Sequence, residues 1–443
     1  MSGREEFIDA LEKALRSSEA DETEILAFRT NSGLTRVANS QIHQNVTERN
    51  SAISVRAIID KRIGTAGTNR PHTEAIASAV QAATANARVS PRVENWPGLP
   101  HNPATIDDRV ADPTRACTPG KRAELIQEAL TAAKNSKLTM AGALETGTTE
   151  VYVANNHSPV SVAAASGVDI NMVLMALDSS GYAAWVGRDL SELRMAELAG
   201  IAADKAELGR RPDDLEPGAY TVILEPPAVA DMLSFLGYVG LGALSVQEQR
   251  SFMADKFGEK LVSDQVTLWD DGCDPRALGA PFDFEGVPKE KVVFFDKGVA
   301  TSVVYDTRTA AREGKTSTGH ALPAPNTHGP LPLNLFLESG ETSLAEMISG
   351  AERAVYVTRF HYTNIEEPMR AVFTGMTRDG TFLIENGKIS RGLKNLRFTQ
   401  SIIDALASVT AVGDSPVMVD AFLGACHCPV LMIDGFNFTG ISG

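Results

Sequence analysis

The eight histidines are the residues of this sequence best suited to hold a catalytic metal, and their spacing argues against a helical site. Such a site needs two histidines about one turn apart and a glutamate beside them to activate the bound water. The histidines are His43, His72, His101, His157, His320, His328, His361 and His427. The closest two, His320 and His328, are eight residues apart, and no histidine is directly followed by a glutamate. The sequence therefore predicts no local helical zinc motif. A metal site assembled from distant segments of the chain remains an open alternative.

A second group of ligand-type atoms is Cys426-His427-Cys428. If this segment is a strand, successive side chains point to opposite faces, so both cysteines share one face and His427 lies on the other. That geometry separates the three side chains instead of directing them at one ion. We interpret the pair as small buried cysteines that precede a strand at residues 430–433.

Three further patterns resemble binding motifs and are given simpler interpretations. Gly314-Lys315-Thr316 resembles the end of a phosphate-binding loop, but the glycine required five residues earlier is Thr309, and residues 307–312 look helical. Asp270-Asp271-Gly272 offers two carboxylates to a cation, yet an acidic turn closing a hairpin explains it more simply. Residues 240–245 lack the third glycine of a dinucleotide fingerprint and are expected to end a helix. We assign no catalytic residue, metal ligand or cofactor.

Length and composition define the class of protein expected. A chain of 443 residues exceeds what one hydrophobic core usually serves, so two domains are expected. A net charge of −15 disfavours nucleic acids and anionic membrane surfaces as partners. Four cysteines in a chain of this length are too few for a disulfide framework. Residues 1–15 lack the apolar core of a signal peptide, and no apolar run is long enough to span a membrane. These features predict a cytoplasmic protein.

Hydrophobic periodicity and turn residues predict the elements that would position any site. In the N-terminal half they predict helices over residues 4–17, 73–87, 121–134 and 190–208, strands over 22–36 and 46–59, a hairpin over 150–165, and a long surface loop over 90–119. In the C-terminal half they predict a strand at 220–224, an apolar helix at 228–242, a capping box at Ser343 and Glu346, a hairpin around Asn386-Gly387, and a last helix at 400–407.

The charged break at residues 210–214 predicts a domain boundary. We therefore expect domains at residues 1–212 and 213–443. The predicted fold class is α+β, with an α/β N-terminal domain and a strand-rich, antiparallel C-terminal domain containing a few helices.

Short segments in a fixed order carry a resemblance to a known family. They are Tyr220-Thr-Val-Ile-Leu-Glu-Pro226, Ser251-Phe-Met253, Phe284-Glu-Gly-Val287, Lys297-Gly-Val299, Ala310-Ala-Arg312, Ser317-Thr-Gly-His320 and Phe382-Leu-Ile-Glu-Asn-Gly-Lys-Ile389, with residues 37–43 and 150–155 matching more loosely upstream. In order and spacing they resemble the TldD/TldE (PmbA) family, whose members are also labelled modulators of DNA gyrase.

The resemblance implies where a metal site would lie. TldD-like subunits are metallopeptidases with His-Glu-x-x-x-His on a helix early in the second domain and a cysteine ligand near the C-terminus. That helix is expected within residues 228–242 of this chain, which hold no histidine, glutamate or cysteine. The cysteine is expected near residues 413–418, where there is none. No metal ligand carries over, so the chain resembles the TldE/PmbA-like subclass.

The function that the resemblance implies is a subunit of a cytoplasmic heteromeric metallopeptidase acting on unfolded or extended peptides. Its partner would be a TldD-like catalytic subunit, and captured peptide would add a strand to a sheet edge, a mode that tolerates many side chains. Two alternatives remain open. One is a self-sufficient homodimeric hydrolase with an unrecognised site, and the other is a peptide-binding module without catalysis.

Overall fold

The computed structural model of this chain describes residues 2–441. The α-helices are α1 (Ser2–Arg16), α2 (Thr73–Val89), α3 (Asp112–Arg115), α4 (Pro119–Asn135), α5 (Met195–Leu208), α6 (Pro226–Gly240), α7 (Ala243–Gln247), α8 (Thr307–Arg312), α9 (Leu344–Gly350) and α10 (Ile402–Ala407). The first seven strands are β1 (Glu22–Ala38), β2 (Gln41–Ile59), β3 (Arg62–Thr68), β4 (Ile106–Arg109), β5 (Thr139–Asn155), β6 (Ser158–Met175) and β7 (Ser180–Gly187). The others are β8 (Gly218–Leu224), β9 (Leu268–Asp270), β10 (Val292–Asp296), β11 (Val299–Ala300), β12 (Asn334–Leu337), β13 (Arg353–Glu367), β14 (Val372–Glu385), β15 (Lys388–Gly392), β16 (Leu396–Ser401), β17 (Val409–Val412), β18 (Val417–Ala421), β19 (Gly424–Cys428) and β20 (Leu431–Ile441).

The N-terminal domain is one sheet with helices on one of its faces. Its strand order is β3-β2-β1-β5-β6-β4, and β7 pairs with the other part of β6. Ile25 and Ala27 of β1 pack in a core with α1 and α2, whereas Val37 packs in a second core with α4 and α5. Because side chains at alternate positions share a face, both helix pairs cover the same side of the sheet.

The C-terminal domain contains two further sheets. One has the order β11-β10-β9-β12-β19-β18, and the other the order β13-β8-β20-β16-β14-β15. An additional pairing of β13 with β14 closes the strands β13-β8-β20-β16-β14 into a ring, β15 pairs with β14 outside that ring, and β17 pairs with β20. The apolar helix α6 is almost wholly buried in the largest core, together with side chains from both sheets. The predicted fold class is therefore confirmed.

Buried ion pairs connect the two domains. Arg56 of β2 donates through Nη2 to Glu24 Oε2 at 2.8 Å and to Glu285 Oε1 at 3.1 Å. Lys205 of α5 donates to Glu225 Oε2 at 2.7 Å, just before α6 begins. Since a buried charge is costly unless it is paired, these contacts resist separation of the domains.

Several local predictions are confirmed by the cap and turn geometry. Ser343 and Glu346 form the reciprocal bonds of a capping box at the start of α9. Asn386 and Gly387 both have positive φ, 49° and 76°, in the hairpin between β14 and β15. The placement of the domain boundary between residues 212 and 213 stays a prediction.

Two element predictions are wrong in detail. The helix expected over 190–208 begins at Met195, because the Asp189 carboxylate caps a separate 3-10 turn at Leu190–Glu192. The loop expected over 90–119 contains β4, which pairs in parallel with β6, and the short helix α3. A four-residue edge strand with two aspartates carries too little apolar pattern to be recognised from sequence.

Candidate functional site

The candidate site is a cleft of about 410 Å³ between the two domains, which we call the interdomain cleft. The N-terminal domain contributes side chains from β6, β7 and α5. The C-terminal domain contributes the first residues of α6 and four residues of β18. The lining residues are Asp169, Asn171, 182–186, Leu198, Ile201, Lys205, 225–227 and 417–420. The cleft lies next to the two segments, residues 228–242 and 413–418, where the resemblance places metal ligands, because residues 225–227 and 417–420 line it and α6 contacts β18.

The local sequence explains why α6 starts at this cleft. Pro226 and Pro227 occupy the first helical positions, where a missing N–H costs nothing and φ is already helical. Glu225 precedes them with an extended backbone and forms a buried cluster with Lys205 and the Tyr356 hydroxyl. Its carboxylate is therefore occupied by a cation and a hydroxyl from two other elements.

The acidic side chains of the cleft have unusual protonation behaviour. Burial, followed by the charges of Asp420 and Glu145, raises the pKa of Asp169 to about 6, although a hydrogen bond with Asn171 acts against this rise. Burial also raises the pKa of Asp420 above its ordinary value, with a second contribution from Glu145. Asp169 lies on the N-terminal domain and Asp420 on the C-terminal domain, so the cleft places like charges opposite each other.

A polar network lies beside the cleft and joins β7 to the C-terminal domain. The Ser180 hydroxyl donates to Asp379 Oδ1 at 2.6 Å, and the Arg359 guanidinium also binds Asp379. Arg359 lies over the ring of Tyr182 with its Cζ 4.5 Å from the ring centroid. These contacts fix the orientation of the β7 wall.

Two strand edges border the cleft. β7 pairs only with β6, and β18 pairs only with β19, among the strands of residues 2–441. β18 lies against β7 without hydrogen-bonded pairing. An unpaired edge presents backbone N–H and C=O groups that accept an extended peptide as an added strand. The cleft therefore combines open backbone groups with apolar side chains such as Trp185 and Ile201.

The cleft does not fit a catalytic zinc ion. Zinc is held by imidazole, thiolate or carboxylate groups that converge within about 2.0–2.3 Å of the ion. No three His, Cys, Asp or Glu side chains are grouped in that way within the described part of the chain. The only acid on α6 is Asp231, whose pKa burial raises to about 6, while a bond from Thr363 and the charge of Arg359 act against this rise. No reaction step through a metal follows from these residues.

The other sequence candidates have structural roles. Cys426 and Cys428 are buried on one side of β19 while His427 faces the other, as predicted, although they belong to the strand itself. Lys315 binds Glu313 at 2.7 Å and the Tyr305 hydroxyl at 2.6 Å, so the Gly-Lys-Thr segment is a loop after α8. Residues 240–245 end α6 and begin α7, which agrees with the helix-end interpretation.

The interpretation of Asp270-Asp271 as a hairpin turn is wrong, and a buried pair was missed there. Asp270 ends β9 and is fully buried, with its Oδ1 2.9 Å from His320 Nε2 and its Oδ2 accepting from the backbone N–H of Asn334 at 2.6 Å. Burial opposes ionisation of Asp270, but His320, Lys289 and this N–H together lower its pKa. Burial and Lys289 lower the pKa of His320. The two residues are fifty positions apart, so no local signal joins them.

No helix within residues 2–441 combines the length and apolar character needed to cross a bilayer.

Comparisons with known proteins point in one direction. A family profile described as the PmbA/TldA metallopeptidase C-terminal domain matches residues 217–440, and one described as PmbA/TldA metallopeptidase domain 1 matches residues 23–87. The metalloprotease PmbA of Escherichia coli O157:H7 is 23% identical over 419 residues, which are 90% of this chain and 89% of that protein.

Other relatives match over a shorter length. A protein of uncharacterised function from Methanocaldococcus jannaschii is 30% identical over 175 residues, 38% of this chain and 40% of the relative. For this and two further relatives, the match spans between 36% and 43% of the relative's own length. The crystal structure of TldE from Thermococcus kodakarensis has a TM-score of 0.86 at 22% identity, covering 97% of this chain and 100% of that chain, which shows a shared fold.

Proposed function

Because this chain belongs to the PmbA/TldD metallopeptidase family, we propose that it is the TldE/PmbA-like subunit of a cytoplasmic peptidase and that it binds peptide without holding the catalytic metal. In this proposal a TldD-like partner supplies the metal and the two chains form a heterodimer. The substrate is an unfolded or extended peptide. The net charge of −15 argues against nucleic acid as a partner.

One observation supports this proposal most directly. α6 begins at the interdomain cleft, where the resemblance expects a metal-binding helix, yet residues 228–242 carry no histidine, glutamate or cysteine. Their side chains are instead largely apolar and packed in the core. A helix of this kind supports a wall of the cleft but offers a metal no convergent ligands.

The strand edges support the peptide-binding part of the proposal. An extended peptide lying along β7 or β18 would gain main-chain hydrogen bonds that do not depend on its sequence. The apolar side chains of Trp185, Leu198 and Ile201 would contact the side chains of the peptide. Such binding suits a protein that accepts many unfolded segments.

Reconstitution tests the subunit assignment. This chain is purified alone and with a co-expressed His-Glu-x-x-x-His protein encoded in the same genome. We expect zinc at well below one ion per chain when it is alone, and peptide hydrolysis only when both chains are present. Hydrolysis by the pair should stop when a chelator is added. Stoichiometric zinc on this chain alone would overturn the proposal, and chelator-resistant hydrolysis would favour the homodimeric hydrolase instead.

A cleft variant tests peptide binding by this chain. Ala184 of β7 is exposed and lines the cleft, so Ala184→Trp narrows the space without entering the core. Ala38 is an exposed alanine at the end of β1, outside the cleft, and Ala38→Trp is the matched control. We expect Ala184→Trp to weaken binding of a fluorescently labelled unfolded peptide, measured by anisotropy, while the control binds like the wild type. Equal affinity of both variants would place peptide binding elsewhere.

A further inference from the structure

A polar groove lies on the N-terminal sheet and shares no lining residue with the interdomain cleft. Helices α1 and α2 cover Ile25 and Ala27, and helices α4 and α5 cover Val37. Between them, the same face of β1 carries the odd-numbered residues from 29 to 35. Here an outer chamber of about 510 Å³ opens beside an inner recess of about 30 Å³. Both are lined by Asn31, Arg115 and Thr148, so the chamber and the recess adjoin each other.

Arg122 of α4 lines the inner recess and is only 1% exposed. Its guanidinium donates to neutral groups alone, which are Thr35 Oγ1, Thr146 Oγ1, Asn45 Oδ1, Thr47 Oγ1 and the Val46 carbonyl. No carboxylate among residues 2–441 lies within 4.0 Å of it, although the other arginine at this depth, Arg56, holds two. A buried charge is normally paired with an opposite charge, so Arg122 lacks its expected counter-ion.

The close contact with Gly33 shows that the recess is built around this guanidinium. A Cβ placed on Gly33 would lie 2.1 Å from Arg122 Nη1 and 2.4 Å from its Cζ. Any residue other than glycine would therefore push the guanidinium out of its position. Gly33 has no positive φ that would require glycine for the backbone. Its role at this position is to admit the guanidinium.

The outer chamber adds four more arginines, and their charge is only partly balanced. Arg4 binds Glu150 and Asp108, Arg29 lies 3.5 Å from Glu150, and Arg115 pairs with Asp112. Arg49 is exposed and has no ion pair within the described residues. The five arginines thus have three carboxylate partners, two of which line the groove, and this leaves a local excess of two positive charges on a protein whose net charge is −15.

We propose that this arginine groove is a binding site for a small molecule that carries an oxyanion head group, a phosphate or a carboxylate. The head group reaches the recess beside Arg122, and the rest of the molecule occupies the outer chamber. Guanidinium groups bind such oxyanions with two parallel charge-assisted hydrogen bonds. About 10–15 Å³ holds one water molecule, so the recess takes about two oxygen atoms. The chamber has the size typical of small-molecule sites.

Binding is tested on the full chain with inorganic phosphate and with acetate, each matched to sodium chloride at equal ionic strength. Isothermal titration calorimetry measures the affinity, and thermal unfolding reports the stabilisation that a ligand of the native state produces. We expect saturable binding of at least one of the two probes. Phosphate alone would identify a phosphate head group, acetate alone a carboxylate, and both a site that recognises the shared charge. Binding of neither probe beyond the chloride control would overturn the proposal.

Three variants locate the binding. Arg49→Gln and Arg122→Met each remove one guanidinium of the groove, and Arg36→Gln is the control, because Arg36 is exposed on the opposite face of β1. We expect Arg49→Gln to weaken binding about tenfold, which corresponds to about 1.4 kcal/mol, and Arg36→Gln to leave it unchanged. Arg49 is exposed, so its variant remains informative even if Arg122→Met fails to fold. Equal weakening by Arg36→Gln, or full affinity in Arg49→Gln, would refute a site in this groove.

Discussion

Replacing Glu24 by glutamine should make the stability of this protein less dependent on pH. Glu24 is 3% exposed and shares the Arg56 guanidinium with Glu285 across the domain interface. Burial raises its pKa from the ordinary 4.5 to about 7, with Arg56 lowering the pKa and Glu285 raising it. Between these two pH values the native state therefore binds more protons than the unfolded state.

The sign and size of the effect follow from this difference. Where the native state holds the extra proton, the free energy of unfolding falls as the pH rises. The stabilisation is complete below about pH 4.5 and is lost as the pH passes through 7. The shift of about 2.5 units corresponds to an upper value on the order of 3 kcal/mol, at about 1.4 kcal/mol for each unit. Glutamine resembles the protonated acid at every pH, and Arg56 keeps Glu285 as an ionic partner.

Urea unfolding at pH 5, 6, 7 and 8, at constant ionic strength, measures this effect. We expect Glu24→Gln and the wild type to be similar at pH 5, and the variant to be more stable at pH 8 by about 1–3 kcal/mol. Glu19→Gln is the control, because that carboxylate is 79% exposed. A variant that loses as much stability between pH 5 and 8 as the wild type would refute this account of the interface.

Three further predictions concern stability measured by urea unfolding. Phe398→Ala should cost about 3–5 kcal/mol, because this fully buried ring contacts three other phenylalanines. Gly64→Ala should lower the free energy of unfolding by about 1–3 kcal/mol, because the added Cβ would lie 2.2 Å from backbone atoms of α2. Gly200→Ala on α5 is the matched control: its Cβ would meet nothing within 4 Å, and alanine favours a helix, so this variant should be slightly more stable than the wild type. Asp270→Ala should cost about 3–5 kcal/mol by leaving His320 and a buried N–H unpaired, and a loss below about 1 kcal/mol would contradict that role.

The sequence predicts those features whose causes are local. The proline pair at 226–227 indicates the start of α6, the Ser343 and Glu346 pattern indicates α9, and Asn386-Gly387 indicates a hairpin. Each of these depends on residues within four positions of one another, and each is found in the structure. The alternation of Cys426, His427 and Cys428 across a strand is likewise a local property.

The features that define both proposed sites depend on distant segments. The interdomain cleft requires β18 to lie against β7, more than two hundred residues earlier, and this register has no sequence signal. The arginine groove requires Arg122 of α4 to contact side chains of β1 and β2. The helical pattern around Arg122 does not show which strands this side chain will contact. The contact between Asp270 and His320 arises in the same way, so the local sequence Asp270-Asp271-Gly272 indicates only a turn. Long-range packing, and not local preference, places these charges.

The position of β20 has a consequence for how the protein is made. This strand, residues 431–441, lies between β8 and β16, so an interior strand of this sheet follows all of the strands that surround it in the sequence. During translation β8 emerges first and keeps an unsatisfied backbone edge until more than two hundred further residues have been synthesised. The nascent domain therefore cannot close in stages as its segments leave the ribosome. Chaperones that shield exposed strands should therefore be most important for this protein shortly before β20 is synthesised.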